Sequence, residues 1–195
     1  YPVTIQAKDS INDTSGFSTV RYCTLVNPYI GIRFGPDNNE LGIVEHVYMS
    51  PLSKGIVAGM TTDIARFWDI HLSADYYASF APDIDRTVLT NAMKSHVIGL
   101  EFGRSDWQYI HDYTAKDLHT GILIARQDDP QPALVDSSNV QIGNIAMDNV
   151  VVGIDVAYSR SNQMITKADI QADEAGIRFG SGFSAAASIS GAVLS

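Results

Sequence analysis

The chain has 195 residues, 45% of them hydrophobic, with 22 acidic and 13 basic side chains and a formal net charge of -9 at pH 7. That length suits one ordinary domain or one compact repeat array with a sizeable core. The acidic balance argues against nucleic acid, which needs a Lys/Arg surface. No apolar run is long enough to span a bilayer, so no membrane partner is expected, and the one cysteine, Cys23, excludes an internal disulfide or a cysteine-based metal cluster.

The first periodic element is the hexamer VRYCTL (20–25), followed by Gly31 in GIRFG. The same pairing recurs along the chain. VEHVYM (44–49) precedes Gly55, IHDYTA (110–115) precedes Gly121, IGNIAM (142–147) precedes Gly153, and ITKADI (165–170) precedes Gly176 in a second GIRFG. In these five cases the hexamer ends six residues before the glycine. FWDIHL (67–72) has the same pattern, apolar-x-x-apolar-x-apolar, but an insertion separates it from Gly99 in GLEFG. The glycines Gly31, Gly55, Gly99, Gly121, Gly153 and Gly176 are spaced by 24, 44, 22, 32 and 23 residues. Three spacings share one period, and the other two equal it plus insertions.

After each glycine the residues alternate with period two, the mark of a half-buried strand. Ile32, Phe34, Ile56, Ala58, Leu100, Phe102, Ile122, Ile124, Ile154, Val156, Ile177 and Phe179 are expected to point inward. Arg33, Val57, Glu101, Leu123, Asp155 and Arg178 are expected to point outward. The leading glycine suits a sharp corner needing positive φ. A repeat of 22–24 residues carrying two or three short strands is the signature of a parallel β-helix. A β-sandwich would alternate without repeating one phrase, and a leucine-rich solenoid needs leucine at fixed places. The fold expected is therefore all-β, a right-handed parallel β-helix of about six coils over residues 1–195.

Two insertions interrupt the repeat, at about 73–95 and 126–139. The first resembles a helix start at Pro82-Asp83, with Val88, Leu89, Ala92 and Met93 at helical spacing. The second carries turn residues without periodicity. The chain opens at Tyr1 and closes on the apolar SISGAVLS, which suggests part of a longer polypeptide, with a further chain or domain capping the ends of the stack.

The segments LGIVEHVYMSPLSKGI (41–56), TTDIARFWDIHLSADYY (61–77) and GLEFGRSDWQYIHDYTAKDLHTGI (99–122) resemble pectin-lyase-like β-helix proteins, the pectate-lyase superfamily and its glycosyl-hydrolase relatives. The resemblance covers roughly residues 18–125. It implies a carbohydrate-active protein, secreted or at the cell surface, with a polysaccharide or oligosaccharide as partner. It carries no assigned catalytic motif onto these segments.

Stacking the hexamers gathers titratable and aromatic residues in the middle coils. The second positions read Arg21, Glu45, Trp68, His111, Gly143 and Thr166. The third read Tyr22, His46, Asp69, Asp112, Asn144 and Lys167, and the fifth read Thr24, Tyr48, His71, Thr114, Ala146 and Asp169. Adjacent coils lie about 4.8 Å apart. Asp69 and Asp112 are neighbours on this map and Glu45 lies one coil from Asp69, spacings that match the carboxylate pairs of retaining and inverting glycosidases. Asp69, Asp112 and Glu45 are thus the candidate catalytic carboxyls, one of them with a raised pKa as general acid. Trp68, Tyr76, Tyr77 and Trp107 are candidate sugar platforms. His46, His71, His111, Arg104 and Asp106 complete the candidate substrate-binding set. The competing reading is structural: corners of such a stack favour Asp and Asn for local hydrogen bonds, without any catalytic purpose. Arg104 and Asp106 are equally readable as a turn contact. Three imidazoles on successive coils are too far apart to share one ion, so neither a metal nor a cofactor is expected. The functions left open are a polysaccharide-degrading glycoside hydrolase, a non-catalytic carbohydrate-binding or structural β-helix, and a polysaccharide lyase.

Overall fold

The computed structural model describes residues 5–7, 17–35, 39–126 and 138–195. The insertion at 126–139 therefore lies almost wholly outside the described residues. Among the described residues thirteen strands and two helices follow in order: β1 (Ile5–Ala7), β2 (Phe17–Val26), β3 (Ile30–Phe34), β4 (Glu40–Ser50), β5 (Lys54–Ala58), β6 (Thr61–Leu72), α1 (Ala74–Phe80), α2 (Arg86–His96), β7 (Ile98–Phe102), β8 (Ser105–Lys116), β9 (Thr120–Ile124), β10 (Ser138–Ser159), β11 (Gln163–Phe183), β12 (Ala187–Ser190) and β13 (Val193–Leu194). Every pairing between them is parallel. The protein is all-β, its strands stacked in a nearly closed, solenoid-like sheet compatible with a β-helix.

Two ladders run up the stack. The glycine-led strands form one, with Ile32 opposite Ile56, Ile56 opposite Leu100, Leu100 opposite Ile122, Ile122 opposite Ile154, and Ile154 opposite Ile177. The hexamers form the other, with Val44, Phe67, Ile110, Ile142 and Ile165 in successive register. Their first, fourth and sixth residues turn inward. Val47, Met49, Ile70, Leu72, Tyr113, Ile145 and Ile170 are all buried in the one hydrophobic core between the ladders. Tyr113 is the largest of them, and its hydroxyl donates to the Gly121 carbonyl at 2.9 Å, which satisfies the one polar atom it brings into the core.

The glycines recur for a different reason from the one their corner placement suggests. None of the six repeat glycines has positive φ; among the described glycines only Gly35 and Gly191 do. What they lack is room. A Cβ on Gly31 would lie 2.6 Å from the Gly55 carbonyl oxygen, and one on Gly55 or Gly99 would lie 2.5 Å from the next glycine's oxygen. Real Cβ atoms do not approach a backbone oxygen that closely. Positive φ sits instead at the third hexamer position, where Tyr22, His46, Asp69, Asp112, Asn144 and Lys167 all lie between +51° and +53°. These six left-handed residues are skipped by the ladder and bend each long strand.

Several expected exposures change. Phe179 and Ile177 keep register with the inward Val156 and Ile154, yet Phe179 is 38% exposed and Ile177 only half-buried, because no described strand pairs beyond that part of β11. Val57, Glu101 and Asp155, on the opposite face from the inward stack, are buried. Glu101 is covered by its ion pair to Lys54 (2.5 Å) and Asp155 by its pair to Arg178 (2.6 Å). In the first insertion the helix starts at Arg86, capped by the Asp85 carboxylate, which accepts from the Thr87 amide at 2.8 Å. Leu89 and Met93 are buried, whereas Val88 and Ala92 face solvent. The helix α1, capped by Ser73, has no counterpart in the periodicity.

Two substitutions test these packing causes. Ile122→Ala, in the middle of the inward stack, is expected to lower stability by about 2–5 kcal/mol in denaturant unfolding. Gly99→Ala drives a methyl against both the Gly121 carbonyl and the Tyr113 hydroxyl. It is expected to cost more than the roughly 1–3 kcal/mol of ordinary overpacking, because the obstructing atom is backbone.

Candidate functional site

The site is built on the left-handed corner. The third hexamer residue is the corner and the fourth turns into the core, and the third and fifth residues line one side of the stack together. A groove of about 570 Å³ runs there, and Asp69, His71, Asp112, Thr114, Asn144 and Lys167 are among the residues that line it. Asp169 and Val193 close its C-terminal end.

Asp69 is held by two histidines. Its Oδ1 lies 2.8 Å from His71 Nε2, and its Oδ2 is hydrogen-bonded to His46 Nδ1. The hydrogen bond from His71, then that from His46, holds its carboxyl below the ordinary range, against a smaller opposing effect of burial. An ionised carboxylate only accepts, so both imidazoles donate to it. In a neutral His71 this leaves Nδ1 to accept from the Thr114 hydroxyl, 2.6 Å away. The rings are fixed from the side as well: His46 stacks on Tyr22 (4.6 Å, 12°) and His71 on Tyr48 (4.8 Å, 11°). Tyr76, on α1, meets Tyr48 edge-on at 5.4 Å.

Asp112 sits one layer further along the same column. Its Oδ2 lies 2.7 Å from His111 Nδ1 and its Oδ1 accepts from the Asn144 amide. Burial and the nearby Asp69 push its carboxyl up, but the hydrogen bonds from Asn144 and His111 outweigh them and the net shift is downward. Both aspartates are therefore held ionised. The expected raised pKa on one of the pair does not arise, because each carboxylate has its own donors and the two do not share a proton.

Glu45 does not belong to this groove. It is buried on the other side of the corner and paired with Arg21 Nε at 2.7 Å. Trp68, opposite Glu45 and His111 in the ladder, is half-buried on that side too and lines no part of the groove. Tyr77 is half-buried and packs on the core, and its backbone amide donates to Ser50 Oγ at 2.8 Å. Trp107 is 42% exposed but lies opposite Ile64, before the hexamer. Asp106 is exposed and Arg104 half-buried, and no ion pair joins them among the described residues. The three histidines occupy three different columns. Among the described residues no group of three or more His, Cys, Asp or Glu side chains is placed to hold a metal ion.

The polar groove residues that the sequence reading does not single out are Thr114, Asn144, Lys167 and Asp169. All four stand at third or fifth hexamer positions, so the hexamer map contains the signal. The groove extends toward the C-terminal layers, while that reading is weighted to the titratable residues of the middle ones. Comparison with known proteins finds no matching family model, no matching curated protein and no matching solved structure.

The carboxylate–histidine bonds have a pH signature. A carboxyl whose folded pKa is depressed contributes stability above its unfolded value and loses it as pH falls through the folded value. Stability of the wild type is expected to fall as pH drops below 3.8, the ordinary aspartate value. Asp69→Asn should be less stable at neutral pH and show a shallower acid limb, checked by thermal unfolding as a function of pH.

Proposed function

We propose that the chain is a right-handed parallel β-helix of about six coils, of the pectin-lyase-like kind, and that its corner groove binds a polysaccharide or oligosaccharide outside the cell or at its surface. The observation that carries this reading is the ladder of hydrogen-bonding side chains along the groove. Asp69, Asp112, Asn144 and Lys167 stand on successive layers in one left-handed column, about 4.8 Å apart. A ligand with hydroxyls repeated along its length meets a matching series of fixed donors and acceptors. Rigidity favours this use, since groups held by the stack lose little further freedom on binding. The exposed side chains of Ile189, Val193 and Leu194 support a further chain or domain covering the C-terminal layers.

Hydrolysis of the bound glycan is the second reading. It is favoured by one observation: Asp69 and Asp112 face the groove from adjacent layers, near the separation used by retaining glycosidases. It lacks a neutral carboxyl to act as acid, since both aspartates are held ionised. The protons beside them are carried by imidazoles. Binding without turnover is therefore preferred.

Isothermal titration against a panel of neutral oligosaccharides and oligogalacturonates tests the first reading, and release of reducing ends tests the second. Asp112→Asn is expected to weaken glycan binding roughly 10- to 100-fold, the scale of one hydrogen bond to a charged group, with the fold intact. No binding to any member of the panel overturns the binding reading. Turnover by the wild type that both Asp69→Asn and Asp112→Asn abolish establishes the hydrolase reading.

A further inference from the structure

The exposed aromatic at the N-terminal end of the corner column is Tyr22. It is 75% exposed, yet its backbone is left-handed, with φ 52°. That conformation is uncommon for a bulky side chain, and Asn or Asp is the residue that fits it at least cost. Local preference therefore does not account for a tyrosine here, and neither does burial. Its ring is nevertheless held in place. It lies nearly parallel to the His46 ring at 4.6 Å, and His46 is in turn fixed by its hydrogen bond to Asp69 in the groove. Tyr22, His46 and Asp69 are the third residues of successive hexamers whose flanking residues pair in register, so the ring stands about 10 Å along the stack from the groove carboxylate.

An aromatic ring that is oriented, exposed and in line with a groove offers an apolar surface with a polar tip, which is what the CH face and hydroxyls of a pyranose ring match. The charge of the groove narrows the ligand further. Among its described lining residues three carboxylates, Asp69, Asp112 and Asp169, stand against one lysine, Lys167. A chain of uronates or sulfated sugars would bring like charge to that surface.

We propose that Tyr22 is the stacking platform for a terminal pyranose of a neutral glycan that lies along the corner column. This rests on the glycan-binding reading of the groove and adds to it both a contact residue and a substrate class. The experiment is titration of wild type, Tyr22→Asn and Tyr22→Phe with neutral hexasaccharides and with an oligogalacturonate of the same length. Tyr22→Asn suits the left-handed corner, and thermal unfolding verifies that it folds. The expected result is binding of a neutral hexasaccharide by the wild type, weakened roughly tenfold in Tyr22→Asn, the scale of one aromatic stacking contact. Tyr22→Phe should keep the affinity, and the oligogalacturonate should bind more weakly than the neutral chain. Equal affinity in wild type and Tyr22→Asn, both folded, overturns the platform and leaves the groove reading standing. Preference for the oligogalacturonate overturns the neutral class. If the wild type binds none of these probes, the groove reading fails and the platform fails with it.

Discussion

The close approach of one layer's glycine to the next layer's carbonyl is the constraint on which the rest depends. From Gly31 to Gly153 a side chain at these points would collide with the neighbouring backbone. A slip of one residue would put an isoleucine where only hydrogen fits and would turn every buried side chain to the other face. The glycines thus act as a steric lock on register. Once register is locked, Ile32, Ile56, Leu100, Ile122 and Ile154 fall into one buried column, and the hexamers align beside them.

Alignment of the hexamers has a second consequence. It brings six non-glycine residues with positive φ into one column. Asn144, Asp69 and Asp112 fit that conformation readily, because a short polar side chain can hydrogen-bond nearby. His46 is also of a type enriched there, whereas Tyr22 and Lys167 fit it less well. The corner must bend there whatever residue occupies it, so the bend is structural. The choice of poor fits at two of the six corners is not accounted for by the bend. Backbone strain of this sort tends to be tolerated where the side chain is used.

The electrostatics of the groove follow from the same geometry. Asp69 lies between histidines supplied by its own layer and the one before it, while Asp112 is held by His111 on its own layer and Asn144 on the next. Each carboxylate is stabilised by its own donors before the two can compete for a proton. A pair of aspartates at glycosidase spacing is therefore not by itself an acid–base pair. The identity of the neighbouring side chains decides that, and here they are donors.

Repetition made much of this legible in the sequence alone. The glycine anchors, the inward isoleucine column and the hexamer register need only the period and the alternation of apolar residues, since stacked layers place like residues in like positions. The juxtaposition of Asp69, His71 and Asp112 could be read off that map as well. The tertiary structure alone decided what depends on neighbours across layers and on the path of the backbone. Glycine is required by a carbonyl of another layer, not by its own φ. Glu45 is buried in an ion pair with Arg21, and Tyr77 packs on the core. The aspartates are ionised by partners whose ring orientation no spacing specifies. A period fixes which residues stack, but charge state and exposure are set by contacts in three dimensions, and those differ at every layer of the repeat.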